Sequence, residues 1–197
     1  VHIMDKATKL ETIYDRIHLV IARLEILKRD ARIRTLEAVA SGGDPKTLSA
    51  TYDAEIAALD ADAEFLKTAN IGGEFMADES ISRLKALAEQ HLQLDGKTEP
   101  LLSENEVYNL STRRGTITPE ERQIMNDHMV HTVNMLESMP WPKHLQRGPE
   151  YATGHHEKMD GTGYPRGVLG GTISVPARMM CIADVFEALT ANDRPYK

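Results

Sequence analysis

Apolar residues in the first third of the chain recur at alternating spacings of three and four. Leu10, Ile13, Ile17, Val20, Leu24, Leu27 and Ala31 form one seam, and Tyr52, Ile56, Leu59, Ala63 and Leu66 form a second. A stripe this narrow marks a helix that packs along one side. Arg34 stands where the first seam would continue, and SGGDP at residues 41–45 has the composition of a turn. Two helices in an antiparallel hairpin are therefore predicted. The seams fit two arrangements: a hairpin packed on the rest of the chain, or a coiled-coil stalk that forms a homodimer through the N-terminal helices. The second seam ends near Gly72-Gly73, which sets the expected limits at residues 1–70 for the hairpin and 74–197 for the next domain.

Beyond Gly73 the apolar faces are broader and the elements shorter. ADESISRLKALAEQ, residues 77–90, reads as an amphipathic helix with Ile81, Leu84, Leu87 and Ala88 inward. Residues 94–115 are polar and irregular, and read mostly as loop. Thr118-Pro119-Glu120-Glu121 marks a helix start, with threonine to cap, proline in the first turn and Glu121 to close a capping box. Pro140 and Pro142 end that helix near Ser138. A short helix is expected over residues 151–157, and Ser174-Val175-Pro176 opens another that runs to about Thr190. No segment reads convincingly as a strand. The expected class is all-α: a helical hairpin or coiled coil followed by a helical bundle.

Composition narrows the chemistry. With 41% hydrophobic and 27% charged residues the chain has the make-up of a globular protein. Its formal charge of -7 leaves no basic excess for a nucleic-acid polymer, although a small phosphorylated ligand is compatible with it. Cys181 is the only cysteine, which excludes an intrachain disulfide and suits a reducing compartment. No run approaches a membrane span, and the first residues lack a signal-peptide pattern. A cytoplasmic location is the expectation.

Five of the eight histidines, His128, His131, His144, His155 and His156, fall in the last seventy residues. His128 shares a helix side with Ile124 and Met125, so it is either a hydrogen-bonded interior residue or a ligand. His144 follows a proline-broken stretch and reads as exposed. Asp184 is surrounded at helical spacing by Met180, Cys181 and Ala188, which predicts a buried carboxylate. Such a group needs an arginine such as Arg178 or Arg194, or a metal ion. Neighbours on a helix point about 100° apart, so His155 and His156 suggest two ions side by side, a recurring device for splitting phosphate esters. Imidazoles with carboxylates suit iron, manganese or zinc. The following DGTGYP is either a plain surface turn or a backbone left open for a bulky phosphorylated ligand.

GTITPEERQIMNDH at residues 115–128, HHEKMDGTGYP at 155–165 and ARMMCIADVFEALTANDRPYK at 177–197 together resemble the HD-GYP family. This is the cyclic-di-GMP phosphodiesterase branch of the HD-domain metal-dependent phosphohydrolases, and the likeness covers about residues 74–197. It implies an HD-domain-like helical bundle in bacterial signalling, with His128, His155, His156 and Asp184 as metal ligands. One or two divalent ions are implied, iron or manganese favoured and zinc an option, which generate hydroxide for attack on the phosphodiester of a cyclic dinucleotide. By the same likeness, Gly163, Tyr164 and Pro165 bind ligand or a diguanylate cyclase domain, and Arg194 and Lys197 contact phosphate.

The chain departs from the family pattern upstream. Glu79-Ser80 stands where a histidine belongs, and no His-Asp dipeptide occurs; Leu94-Asp95-Gly96-Lys97 is the nearest remnant. His91, Asp95, Glu104 or His131 are the residues available to replace missing ligands. Family members also continue beyond RPYK, so the domain is expected to be truncated here. Three functions follow: an active phosphodiesterase, a catalytically inactive receptor, or a helical interaction module.

Overall fold

The computed structural model describes residues 3, 6–73 and 75–190. Helices dominate, as expected: seven occur among the described residues, with one two-stranded ribbon. The chain divides into two compact units, Val1–Thr118 and Pro119–Lys197.

The first unit is built on the hairpin of α1 (Ile17–Ala40) and α2 (Pro45–Ile71). Asp44 starts α2 by accepting the Thr47 amide at 3.1 Å, with Pro45 in the first turn. The two seams meet along Ile17, Val20 and Leu24 of α1 and Leu59, Ala63 and Leu66 of α2, all buried. Ile13 departs from the expected seam. The helix begins only at Ile17, so Ile13 lies outside it and is 90% exposed. Leu10 is buried in the preceding turn, where its amide donates to Asn70 Oδ1 at 2.8 Å.

The hairpin does not stand by itself. Its core continues into Leu84 and Leu87 of α3 (Asp78–Ala88) and into Leu101, Leu102 and Leu110. The buried part of the hairpin seam is thus continuous with the rest of the first unit. This packing also carries the compact unit past Gly73 to Thr118.

Two elements fall in the stretch expected to be loop. Strands β1 (His91–Leu94) and β2 (Lys97–Pro100) pair antiparallel, with Leu94 opposite Lys97. Asp95 and Gly96 make the two-residue turn with φ of 50° and 73°, the left-handed values that Asp-Gly supplies in a tight hairpin. With Leu92 the only fully buried strand residue, the ribbon offered little period-two signal. Helix α4 (Glu104–Leu110) is too short to show a periodic face, but its cap is complete. Ser103 Oγ accepts the Glu106 amide, and Glu106 Oε2 accepts the Ser103 amide at 2.8 Å. Glu106 also pairs with Arg23 at 2.7 Å, while Arg23 donates to the Leu101 carbonyl at 3.0 Å, tying α4 to α1. At the other end of α4, buried Lys9 donates to the Leu110 carbonyl at 2.9 Å.

The second unit holds α5 (Pro119–Ser138), α6 (Gly148–Thr153) and α7 (Val175–Thr190), with α6 packed on both others. Helix α5 begins at the expected proline. It ends before Pro140, where Trp141 Nε1 donates back to the Leu136 carbonyl at 2.6 Å. Helix α6 stops at Thr153, short of the expected residue 157. None of the described helices is long and apolar enough to cross a membrane.

Candidate metal centre

His128 projects from the middle of α5, whereas His155 and His156 lie in the turn just past α6. Because α6 ends early, the two neighbours are not splayed by helical geometry. Their rings sit with centroids 4.2 Å apart, and His128 meets His156 edge-on at 5.2 Å. One ring nitrogen from each of the three lies within 4.8 Å of the others, and all three residues are half-buried. Instead of facing two sites, the adjacent histidines converge with His128 on one cluster.

The hydrogen bonds around the cluster fix the chemistry of its rings. His128 Nδ1 bonds to the Met125 carbonyl, and His155 Nδ1 to the Ala152 carbonyl at 2.6 Å. A carbonyl oxygen only accepts, so in each neutral ring Nδ1 carries the proton and Nε2 keeps its lone pair. Backbone carbonyls commonly orient metal-binding imidazoles in this way. Burial pushes the His156 imidazole below its ordinary pKa, the neighbouring His155 adds to that, and the Asp184 carboxylate opposes it. Three imidazoles held close, two with fixed tautomers and one biased to the neutral form, fit a borderline transition-metal cation.

Asp184 differs from the sequence expectation. It is exposed on α7 and lies outside the three-histidine cluster. Its carboxylate is nevertheless near enough to act on both His156 and the Tyr164 phenol, which burial and Asp184 together push upward. The pattern of Met180, Cys181 and Ala188 misled because much of the apolar surface of α7 is uncovered: Ile182, Phe186 and Leu189 are as open to solvent as Asp184's own surroundings. A buried carboxylate is therefore absent at this position, and with it the need for an arginine partner.

Tyr164 was expected in a binding loop, and its ring stacks on His156 with centroids 4.8 Å apart and planes 15° from parallel. The Tyr164–Pro165 peptide bond is cis. Gly163 packs so tightly that a Cβ there would lie 2.3 Å from the Lys158 nitrogen. The segment is thus a built wall of the histidine cluster. Arg194 and Lys197 fall outside the described residues. His131 is exposed on α5 and lies outside the three-histidine group, while His91, Asp95 and Glu104 are exposed residues of the first unit. Asp95 instead shapes the turn of the ribbon. Sequence reading passed over Glu157, a buried carboxylate beside the two histidines that bonds the Arg166 and Val168 amides. A cavity of about 160 Å³ lies on that side of the loop, lined in part by Glu157 and Ser174 and by none of the three histidines.

Residues 103–197 match the family described as HD domain. Over 83 residues the chain is 41% identical to a cyclic di-GMP phosphodiesterase of Thermotoga maritima, covering 42% of this chain and 22% of that protein. A 3'3'-cGAMP-specific phosphodiesterase 1 of Vibrio cholerae is 56% identical over 48 residues, 24% of this chain and 11% of that protein. The 3'3'-cGAMP-specific phosphodiesterase 2 of the same organism is 34% identical over 122 residues, 60% of this chain and 23% of that protein. The HD-domain match covers just under half of this chain. The HD-domain match starts at Ser103, the cap of α4, and runs through all three helices that carry or flank the histidines. The chain spans less than a quarter of the length of each of these three relatives.

Proposed function

We propose that His128, His155 and His156 hold a divalent transition-metal cation, with iron or manganese favoured, and that the domain hydrolyses a phosphodiester bond of a cyclic dinucleotide such as cyclic di-GMP. The observation that carries this reading is the convergence of three imidazoles within 4.8 Å, two of them oriented by backbone carbonyls. That the relatives are named for cyclic di-GMP or 3'3'-cGAMP supports the choice of ligand class.

When bound, the cation would supply Lewis acidity toward phosphoryl oxygen and lower the pKa of a coordinated water. The protein's own residues orient and bind. Nε2 of His128 and of His155 are the nitrogens free to ligate, since Nδ1 is held by the backbone in each. The Asp184 carboxylate, close enough to act on His156, is the proposed further ligand once a cation draws it in. Gly163, Tyr164 and Pro165 form the wall along which ligand would lie, with Tyr164 stacked on His156. Arg194 and Lys197 are proposed to contact phosphate, where a planar guanidinium suits paired oxygens. The loop is also a proposed contact for a diguanylate cyclase domain.

A second reading has its own support. The chain has no His-Asp dipeptide, and only three ligand-capable side chains meet among the described residues. A receptor that binds cation and dinucleotide without hydrolysis would have this reduced set. Incubating the purified chain with cyclic di-GMP and manganese or ferrous iron separates the two. Linear dinucleotide product, abolished by His156→Ala, supports hydrolysis; saturable binding without product leaves the receptor.

A further inference from the structure

Glu157 directly follows the two histidines and is only 7% exposed. A glutamate in that position looks in sequence like another metal ligand, yet both of its oxygens are engaged elsewhere. Oε1 accepts the Arg166 amide at 2.7 Å, and Oε2 accepts the Val168 amide at 3.0 Å. The Tyr164 amide points the same way, donating to the His156 carbonyl at 3.2 Å. The amides of residues 164, 166 and 168 are therefore all turned onto residues 156 and 157. Pro165, which has no amide proton, falls between two of them.

The loop is fixed from other directions more weakly. Arg166 reaches Glu137 on α5 at 2.8 Å, but both side chains are about half exposed, so that ion pair is screened by solvent. The charge-assisted bonds to Glu157 are shielded, and they are the stronger hold. Contact is close as well: a Cβ on Gly163 would lie 2.4 Å from Glu157 Cα. The outcome of these constraints is the Tyr164 ring lying on His156.

We propose that Glu157 is a positioning residue for the ligand wall: by gripping the Arg166 and Val168 amides it keeps the Tyr164 loop seated against the two-histidine turn. It acts on ligand through Tyr164 and not as a metal ligand. The proposal deepens the cyclic-dinucleotide reading, and rests on it only for the ligand readout.

Glu157→Gln preserves the shape but replaces one accepting oxygen with an NH2 group. The test uses the full chain loaded with manganese, and follows amide hydrogen exchange, trypsin cleavage after Arg166, bound metal and cyclic di-GMP affinity. Exchange at Arg166 and Val168 and cleavage after Arg166 should each rise about tenfold or more, with exchange in α5 and metal content unchanged. Dinucleotide affinity should fall about tenfold, near 1.4 kcal/mol. Unchanged exchange at Arg166 and Val168, or loss of metal in step with any loosening, overturns the assignment. Glu157→Asp, which keeps the charge but shortens the reach to the two amides, should produce the same loosening; if Glu157→Gln does not fold, this variant decides the question. Failure of the parent chain to bind cyclic di-GMP counts against the proposed function, while the exchange result still judges the loop.

Discussion

The two compact units divide labour in opposite ways. The first buries an apolar core that runs from Leu10 through the hairpin to Leu110, and it contains none of the three clustered histidines. The second holds the histidine cluster, yet its buried apolar residues among those described are Met129, Ile173 and Ala177. Its order near the site comes from hydrogen-bonded turns: carbonyls on His128 and His155, and a carboxylate on the Arg166 and Val168 amides. Burial of apolar area scales with the number of side chains removed from water. Directed hydrogen bonds add less net stability but fix geometry. Apolar burial therefore dominates one unit, and directed hydrogen bonds dominate the histidine region of the other.

That contrast can be broken most forcefully in the first core. Leu66→Ala removes a fully buried side chain at the centre of the hairpin and should cost about 2–5 kcal/mol. Chemical denaturation followed by circular dichroism measures it. Metal content should persist under native conditions, and its loss would show that the cluster depends on the first core.

Glu106→Gln should cost somewhat less, about 2–3 kcal/mol, from the loss of a charge-assisted bond and part of a cap. Burial alone would raise the Glu106 carboxyl, but Arg23 and the Ser103 amide outweigh it and hold the group below its ordinary 4.5. Its stabilisation is thus complete above pH 4.5 and is lost as pH falls through the lower folded value. Denaturant midpoints of the parent should drop over that acid window more than those of Glu106→Gln.

Lys9 is shifted in the same direction, at the alkaline end and by burial alone. Burial lowers its ammonium from 10.5 to about 8. Between those values the unfolded chain binds more protons than the folded one, so stability should rise with pH from about 8 toward 10.5. Lys9→Met should lack this component of the rise when midpoints are compared at the two ends of the window. The smallest effect is expected on α7. Ile182→Ser alters a side chain that is 70% exposed and should shift stability by no more than about 0.5 kcal/mol; a loss of several kcal/mol would mean that another surface covers this face.

Legibility in the sequence follows the same division. Long helices with repeating seams announced themselves: α2, α5 and α7 occupy their expected places, and α1 begins two seam residues late, at Ile17. Proline marked the start of α5, and prolines marked its end. The ribbon and α4 escaped because four- and seven-residue elements carry too few turns of pattern, although Asp95-Gly96 and Ser103-Glu106 held the local signals. The three histidines were legible as candidate ligands by type and spacing. Their convergence was not, because it depends on α6 ending at Thr153. Asp184 was misread as buried because helical periodicity identifies an apolar face without saying whether anything packs on it.

The central claim is that histidines from α5 and from the turn after α6 share one cation. Elemental analysis of protein purified without oxygen, for the parent chain and for His128→Ala, tests it directly. A stoichiometric transition metal in the parent that is lost in His128→Ala, with helical content retained, is the predicted result. A parent chain that holds no metal even after loading with manganese or ferrous iron, or a variant that binds as much as the parent, would contradict it.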